Sequence, residues 1–416
     1  MKGFFSGSTL AQSKKPSPTI PLCGACGLYK GCKSPKMSFS GNGRRRILIV
    51  GDFPGKEEDL EGTHFVGRTG KFLKRTLRSL GGDPEEDYWY DNALICHLSK
   101  KQNEGNVEVS ISDRIGYCRP NLIRTIEQLR PQVILLLGYE AVQSIIGSIW
   151  KEDVGILSRW TGFQIPCRKW NCWICPTYDP NYVLRTLESR KKDPVPNLWF
   201  RRHLESALQL SGRPYDEIPN EIKEVELVLD TDEAARILDK MVERGGVVAF
   251  DYETTMLKPD WFDAEILSCS VCWNGKKTIA FPWRGAAVPA MGRLIRSSMP
   301  KIASNLKMED RWSRMEFGKP VKNWAWCTMT AAHALDNRPG ICGLKFQSFV
   351  LLGAESYDDH ISKFLSSNNS NLRTNQILEQ VNLHDLLLYN GLDSLLEYRV
   401  AEKQMVQFGI SMKDWL

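Results

Sequence analysis

Two short runs made almost entirely of apolar residues constrain the fold of this chain most strongly. Residues 46–51 (RILIVG) and 131–138 (PQVILLLG) alternate with stretches of helical periodicity, the first of them near residues 70–80. A strand that is apolar at every position must be buried on both faces, as in a parallel sheet covered by helices. The chain up to about residue 210 is therefore predicted to be an α/β domain with a parallel sheet.

A second pattern begins after a segment that is typical of a linker. Residues 211–221 (SGRPYDEIPNE) contain two prolines, a glycine and several polar side chains. Beyond them the sequence predicts strands and one early helix, then mostly helices from about residue 327, with a polar loop (SSNNSN) at residues 366–371. The predicted strands are 225–229, 246–251, 266–273 and 278–282, and the predicted helix is 231–244. The predicted division is a flexible N-terminus at 1–20, a first domain at 21–210, a linker at 211–224 and a second domain at 225–416.

Charge is distributed unevenly between these parts. Residues 1–210 contain 31 Lys and Arg against 21 Asp and Glu, a net charge of +10, while the remainder has 24 against 28, a net charge of −4. A basic half favours a polyanion partner such as nucleic acid, although a solvated basic surface is the alternative. No run of about 18 apolar residues is present, and the N-terminus does not have the pattern of a signal peptide, so we expect a cytoplasmic protein without a membrane span.

Acidic residues cluster at three places in the second half. Asp251 and Glu253 end the predicted strand 246–251, and their spacing of two places both side chains on one face. Adjacent carboxylates repel each other unless a cation lies between them, and Mg²⁺ prefers such oxygen ligands. The other clusters are residues 305–312 (NLKMEDRW) and 389–393 (YNGLD), where Tyr389 and Asp393 share a helix face.

The segments FDYETT, ASNLKMEDRW and YNGLD together resemble, in order, the three motifs of the DEDD-type 3′→5′ proofreading exonuclease of DNA polymerase I. The resemblance covers about residues 225–410 and implies an RNase H-like domain that hydrolyses DNA from the 3′ end with two Mg²⁺ or Mn²⁺ ions, releasing 5′-mononucleotides. It implies Asp251, Glu253 and Asp393 as metal ligands, and Tyr389 as the side chain that orients water. For the second motif, spacing favours Glu309, with Asp310 as the alternative. Asn305 and Lys307 are expected to contact DNA. The chain ends soon after the third motif, so we expect an exonuclease without an attached polymerase domain.

Cysteines are concentrated in the first half of a chain that has twelve in all. Cys23 and Cys26 form a CxxC pair, Cys32 follows, and Cys96 and Cys118 are positioned to complete a four-thiolate site. Thiolates in that number suit zinc or an iron–sulfur cluster. Cys167, Cys172 and Cys175 form a further group, which we interpret as structural, with a second metal site as the alternative.

The segments ILIVGDFPGKEEDLEGTHFVGRTGKFL, DNALICHL, CRPNLIRTIEQLRPQVILLLG and CPTYDPNYVLR resemble the iron–sulfur, family-four uracil-DNA glycosylases over about residues 20–205. The resemblance implies a three-layer α/β domain in which Cys23, Cys26, Cys96 and Cys118 hold a [4Fe–4S] cluster. It implies a base pocket in which Phe65 stacks on a flipped base, Asn92 hydrogen-bonds its edge and Asp52 lies near the sugar. Arg185 and the basic stretches 44–46 and 71–78 are expected to contact phosphates.

This pocket departs from the family pattern at two positions. Asp52 replaces a glutamate, and Asp179 replaces the histidine that faces the developing uracil anion. An ionised aspartate there repels that anion, so uracil excision is expected to be slow, altered or absent.

The chain is thus interpreted as a fusion of a glycosylase-like domain with a proofreading exonuclease, acting in DNA replication or repair in a prokaryotic or phage-infected cell. Three hypotheses stay open. The glycosylase-like half binds DNA or a separately encoded polymerase beside an active exonuclease, or both halves are active enzymes, or the protein is mainly a scaffold for a polymerase. The expected nucleic acid is a single strand or a primer terminus.

Overall fold

The structure is a computed structural model that describes residues 18–98, 109–190, 192–215, 220–358, 361 and 381–415. The described residues separate into two compact units, one before and one after residues 216–219. The predicted polar loop at 366–371 and most of the predicted flexible N-terminus lie outside the described residues. None of the helices in the described ranges combines the length and the apolar character needed to cross a membrane.

The first unit is built on a five-stranded sheet with the order β2-β1-β3-β5-β4. Neighbouring strands are parallel except at the edge, where β4 runs antiparallel to β5. The predicted strands at 46–51 and 131–138 form β1 and β3. Strand bounds are β1 Ile47–Gly51, β2 Tyr88–Asn92, β3 Val133–Leu137, β4 Ile165–Cys167 and β5 Cys172–Thr177.

Helices cover both faces of this sheet, which explains why β1 and β3 are buried at every position. Alternate residues such as Ile47 and Ile49 pack with Leu73, Phe200 and Leu204 on one face. The three-layer α/β prediction is confirmed. Helix bounds are α1 Cys23–Cys26, α2 Lys56–Glu61, α3 Arg68–Ser79, α4 Ile111–Leu129, α5 Tyr139–Ile145, α6 Pro180–Glu188 and α7 Val195–Leu208.

The second unit contains a six-stranded sheet with the order β11-β10-β7-β8-β9-β6. Strands β7, β8 and β9 form an antiparallel meander, and β10 and β11 continue from β7 in parallel. This order is that of the RNase H-like fold, as predicted, with β6 added beside β9. Strand bounds are β6 Val225–Leu227, β7 Val248–Thr254, β8 Ile266–Trp273, β9 Lys277–Pro282, β10 Lys301–Ala303 and β11 Trp324–Cys327.

Local sequence signals set where the helices of this unit begin and end. In α8, for example, the Asp230 carboxylate accepts the backbone N–H groups of the first turn, and Gly245 ends the helix at a φ of 68°. Helices α8 and α9 pack on one face of the sheet and α13 packs on the other. Helix bounds are α8 Thr231–Arg244, α9 Ala287–Arg296, α10 Lys307–Phe317, α11 Thr328–Leu335, α12 Leu344–Leu352 and α13 Leu383–Gln407.

Candidate functional site

Strand β7 places Asp251 and Glu253 on the sheet face that α13 covers. Along this strand Phe250 and Tyr252 point to the core on the opposite face, whereas Ala249 belongs to the cluster packed under α13. Because side chains alternate along a strand, Asp251 and Glu253 share the face of Ala249. They therefore point at α13, which carries the third acidic motif.

Helix α13 brings Asp393 to these two carboxylates. One carboxylate oxygen from each of Asp251, Glu253 and Asp393 lies within 4.8 Å of the other two, a spacing that suits a shared cation. Asn390, one turn before Asp393, donates from Nδ2 to Asp251 Oδ2 at 2.7 Å and accepts from Ser268 Oγ at 3.0 Å. Asn390 therefore fixes the orientation of Asp251.

Two tyrosines line the same group. The buried ring of Tyr389 stacks on the half-buried ring of Tyr357 with centroids 5.8 Å apart, and the Tyr357 hydroxyl donates to Asp393 Oδ1. The Lys345 ammonium lies 5.9 Å from the centre of the Tyr389 ring and forms an ion pair with Asp358. The sequence predicted Tyr389 as a site residue but not Tyr357, Lys345 or Asn390. Of these three, only Asn390 could have been found from the sequence, because it lies next to Tyr389 within the third acidic motif.

The structure separates the two candidates of the second motif. Glu309 is 1% exposed, and its Oε2 has no hydrogen-bond partner in the described part of the chain. Burial raises the pKa of its carboxyl group, and the charge of Asp251 raises this pKa further. The Asp310 carboxylate is instead engaged in packing α10. It accepts from Arg314 at 2.6 Å, from the Val321 backbone N–H at 3.0 Å and from Trp324 Nε1 at 3.3 Å. The structure therefore does not bring Asp310 to the carboxylate group, and its prediction as a site residue is corrected.

Burial and mutual repulsion dominate the electrostatics of this site. Burial raises the pKa of Asp251, and the neighbouring Asp393 charge raises it further. The pKa of Glu253 is raised by burial and then by Asp251. Burial also raises the pKa of Asp393 to about 6, against the hydrogen bonds from Tyr357 and Tyr389 and the attraction of Lys345. Such a group is stabilised when cations replace the protons, so these residues fit a divalent metal.

The residues predicted to contact DNA lie at the surface or beside it. Asn305 is half-buried in the turn before α10, with a φ of 61°, and Lys307 is exposed at the first position of that helix. In the first unit, Arg185 is exposed on α6.

Four cysteines of the first unit line one small cavity. Cys23 and Cys26 on α1 face Cys96 and Cys118 across it. The Lys36 and Ile95 backbone N–H groups donate to the sulfur atoms of Cys96 and Cys118 at 3.3 and 3.5 Å. Such N–H···S contacts stabilise thiolates, so this donor set fits an iron–sulfur cluster. Cys32 lies beside this group but does not line the cavity, and its thiol donates to the Leu28 and His97 carbonyl oxygens.

A separate cavity of about 290 Å³ contains all four residues predicted for the base pocket: Asp52, Phe65, Asn92 and Asp179. Phe65 has a φ of 53°, and glycines make room for it. A Cβ at Gly51 would lie 2.9 Å from Phe65 Cζ and 2.6 Å from Asn92 Oδ1, and one at Gly70 would lie 2.2 Å from the Phe65 backbone. The backbone is thus shaped to present an aromatic face beside a carboxamide.

The two departures from the family pattern have local structural roles. Asp179 caps α6, its Oδ1 accepting from the Asn181 N–H at 3.0 Å, and Asp52 Oδ1 accepts from the Ala141 N–H at 3.0 Å. Burial raises the pKa of both carboxylates, and Glu140, which sequence reasoning missed, raises that of Asp52 further. Three acidic side chains therefore interact at this end of the cavity.

Comparison with known proteins agrees with this geometry. Residues 39–201 match the uracil DNA glycosylase superfamily. The type-4 uracil-DNA glycosylase of Saccharolobus solfataricus is 36% identical over 174 residues, which are 41% of this chain and 77% of that protein. The type-4 uracil-DNA glycosylase of Archaeoglobus fulgidus is 31% identical over 175 residues, 42% of this chain and 83% of that protein. The chain belongs to the type-4 uracil-DNA glycosylase family. The first unit is hereafter called the glycosylase unit.

A comparison of folds also matches Escherichia coli RNase D, described as an exoribonuclease involved in structured RNA processing. The match has 12% identity and a TM-score of 0.32, and covers 44% of this chain and 45% of that one.

The remaining cysteine group of the glycosylase unit lies in the β4–β5 hairpin. Cys167 and Cys172 face each other across the two strands, and Cys175 lies farther along β5. All three are buried, and burial raises the pKa of Cys175.

Proposed function

We propose that the second unit is a metal-dependent 3′→5′ DNA exonuclease of the proofreading type, acting in replication or repair. The observation that carries the proposal is the convergence of the Asp251, Glu253 and Asp393 oxygens within 4.8 Å at a buried position. Three carboxylates at this separation are stable in ionised form only with cations among them.

The side chains around this group have different proposed roles in phosphodiester hydrolysis. Asp251, Glu253 and Asp393 would hold Mg²⁺ or Mn²⁺, with Glu309 adjoining them, and the bound ions supply an activated water and neutralise charge on the phosphate. Tyr389 is placed to orient the attacking water, because its hydroxyl already hydrogen-bonds with Asp393. Asn390 keeps Asp251 in position, and Asn305 and Lys307 are assigned to the DNA strand. The product is a nucleoside 5′-monophosphate.

For the glycosylase unit, we propose DNA binding, or binding to a separately encoded polymerase, without efficient removal of uracil. Membership of a DNA-processing family and the exposed Arg185 support DNA as the ligand. An ionised carboxylate at Asp179, where the family pattern has a histidine, opposes the negative charge that develops on a departing uracil. The second candidate is an active uracil-DNA glycosylase, which the cavity with Phe65 and Asn92 favours. The third candidate function is a scaffold for a polymerase. The complete set of acidic residues in the second unit argues against a scaffold as the sole role of the protein.

The glycosylase unit is also proposed to bind a cofactor. Cys23, Cys26, Cys96 and Cys118 would hold a [4Fe–4S] cluster that fastens α1 to the rest of the glycosylase unit. The functional domains are assigned to residues 21–210 and 225–416, joined by a linker at 211–224. The setting is the cytoplasm of a prokaryotic or phage-infected cell.

A single oligonucleotide tests both units. The substrate is a 5′-labelled DNA single strand with one internal uracil, incubated either with Mg²⁺ or in EDTA followed by alkali. We expect a Mg²⁺-dependent ladder from the 3′ end that is lost in Asp251→Ala and retained in Glu243→Ala, an exposed acidic residue on α8. Absence of a ladder from the wild-type protein would refute the exonuclease. An alkali-sensitive break at uracil in EDTA would show that the glycosylase pocket is active.

Two further variants test the corrected second motif. Glu309→Gln is expected to lower the rate of ladder formation about a hundredfold, in the range for loss of a metal-site carboxylate. Asp310→Asn is expected to retain most of that rate, because its carboxylate contacts Arg314 and Trp324 instead of the acidic group. The reverse order of effects would restore Asp310 to the site.

A further inference from the structure

Four rings form a row on the surface of the glycosylase unit. Tyr178 and Tyr182 flank the start of α6, and Trp199 and His203 lie one turn apart on α7. In the order Tyr182, Tyr178, His203 and Trp199, successive ring centroids are 5.8, 5.8 and 5.9 Å apart. The Arg202 Cζ atom lies 5.2 Å from the centre of the Trp199 ring and adds a cation at that end. These five side chains are the aromatic row.

The two ends of the aromatic row are exposed to solvent. Trp199 is 44% exposed and Tyr182 is 43% exposed, whereas the two rings between them are half-buried. Helix α7 packs on the sheet through Phe200 and Leu204, so its place in the fold does not require an exposed tryptophan. Large aromatic side chains that are exposed together in this way are typical of a binding surface.

The middle of the aromatic row is held in a fixed position. The Nδ1 atom of His203 hydrogen-bonds with Oγ1 of Thr177, the buried last residue of β5, at 3.0 Å. Gly162 leaves space for the imidazole, because a Cβ at that position would lie 2.6 Å from His203 Nε2. Tyr178 then stacks on the imidazole at an interplanar angle of 27°. Rings that are ordered before a ligand arrives lose little conformational entropy when it binds.

The aromatic row begins at the edge of the base cavity. Residues 179–181 line that cavity, and Tyr178 and Tyr182 are the residues that immediately precede and follow them. A DNA strand with one base in the cavity would therefore bring its neighbouring nucleotides to Tyr182 and the rest of the row.

The charge around the aromatic row favours an anionic partner. Residues 178–205 contain six Lys and Arg against four Asp and Glu. Two of the four carboxylates are engaged locally, because Glu188 pairs with Arg68 and Asp179 caps α6. The exposed cations that the structure describes in this segment are Arg185, Arg190, Lys192 and Arg202. Aromatic rings combined with such cations are the means by which proteins bind single-stranded nucleic acid.

The aromatic row suits unpaired nucleotides better than a duplex. In a duplex each base stacks on its neighbours, so no base face is free to contact a protein ring except at an end or a flipped nucleotide. Exposed rings such as Trp199 and Tyr182 contribute binding free energy only when free base faces are present. The phosphates of either form can be bound by cations alone.

We propose that the aromatic row is a stacking platform for single-stranded DNA, on which Trp199 and Tyr182 contact the faces of unpaired bases and Arg202 contacts the phosphate backbone. This inference rests on the proposed DNA binding of the glycosylase unit. It specifies the surface that binds, and it makes affinity depend on bases outside the cavity as well as on phosphates.

The test compares two DNA circles that differ only in their bases. Each is a single-stranded, uracil-free circle with an internal fluorophore, and in one of them most nucleotides are abasic. A circle has no 3′ end for the proposed exonuclease to bind, and EDTA keeps that unit inactive. Fluorescence anisotropy with the full chain measures both affinities. We expect the wild-type protein to bind the abasic circle at least about tenfold more weakly, the order of effect for stacking on one base.

Variants of the aromatic row locate the effect. Trp199→Ala should weaken binding of the normal circle about tenfold and leave binding of the abasic circle unchanged, whereas Trp199→Phe should restore most of the loss. Leu198→Ala, at an exposed apolar neighbour on α7, is the matched control and should bind both circles as the wild type does. If Trp199→Ala does not fold, Tyr182→Ala replaces it and should show the same selective loss.

Failure of the inference differs from failure of the proposed function. A wild-type protein that binds both circles equally, or a folded Trp199→Ala variant that binds them as the wild type does, overturns the stacking platform and leaves DNA binding through phosphates intact. Equal losses in Trp199→Ala and Leu198→Ala would also overturn it, because they would indicate an apolar surface for a protein partner. A wild-type protein that binds neither circle overturns both the platform and DNA binding by the glycosylase unit.

Discussion

Replacing Asp393 by asparagine should stabilise the metal-free second unit, although Asp393 is essential to the proposed chemistry. Burial raises its pKa from the ordinary 3.8 to about 6. At about 1.4 kcal/mol per pKa unit, this corresponds to a destabilisation on the order of 3 kcal/mol at pH 8, where the group is ionised. An asparagine side chain at this position would remove that charge and keep an oxygen that accepts the Tyr357 hydroxyl.

The effect has a definite dependence on pH. A raised pKa means that the fold favours the protonated carboxyl, so the wild-type protein loses stability as pH rises from about 4 through about 6. The gain from Asp393→Asn should therefore be largest at pH 8 and near zero at pH 4. For a unit of this size the gain corresponds to roughly 6–12 °C in melting temperature.

Calorimetry in EDTA measures the melting temperatures of the wild-type and variant proteins. The unfolding transition of the second unit is identified as the one that Mg²⁺ shifts in the wild-type protein. Asp310→Asn is the control with the opposite sign, because Arg314 and neighbouring donors hold the pKa of Asp310 below its ordinary value. Its replacement should destabilise the protein at pH 8. The electrostatic reasoning is refuted if Asp393→Asn lowers the melting temperature at pH 8, or if its gain is equal at pH 4 and pH 8.

Three further changes have defined outcomes. Tyr357→Phe removes a hydrogen bond that favours the ionised form of Asp393. The Mg²⁺ concentration for half-maximal cleavage should therefore rise about tenfold, and the rise should be larger at pH 6.5 than at pH 8. An equal rise at the two pH values would contradict this reasoning. Cys96→Ser should lose bound iron and its visible absorbance, whereas Cys32→Ser should keep both, as iron analysis would show. Asp179→Asn preserves the helix cap and removes a charge from a carboxyl group whose pKa is raised by burial, so uracil excision should increase at least about tenfold without a loss of melting temperature. No increase would show that Asp179 is not what limits excision.

Sequence periodicity predicts the elements that bury long apolar stretches and misses the short ones. Strands β1, β3 and β8 and helix α8 agree with prediction because their patterns extend over five or more residues. Strand β10 has only three residues and begins with the fully buried Lys301, whose ammonium donates to the Ser297 carbonyl oxygen at 2.6 Å. Nothing in the local pattern predicts a buried lysine in a strand.

The acidic site shows where sequence spacing stops being informative. Asp251 and Glu253 are predicted together because a strand alternates strictly. Glu309 and Asp310 are adjacent on a helix and point about 100° apart, so only the packing of α10 decides between them. Tyr357 is 36 residues from Asp393 in sequence and reaches it through a loop, a contact that only the folded chain creates.

Helix α13 supplies Tyr389 and Asp393, and it packs across β7, β8 and β9, the first strands of its unit to be synthesised after β6. During translation those strands leave the ribosome about a hundred residues before this helix does. A nascent chain at that stage holds Asp251 and Glu253 without their partners, and cannot assemble a metal centre. The order of synthesis thus delays the proposed nuclease activity until α13 has docked.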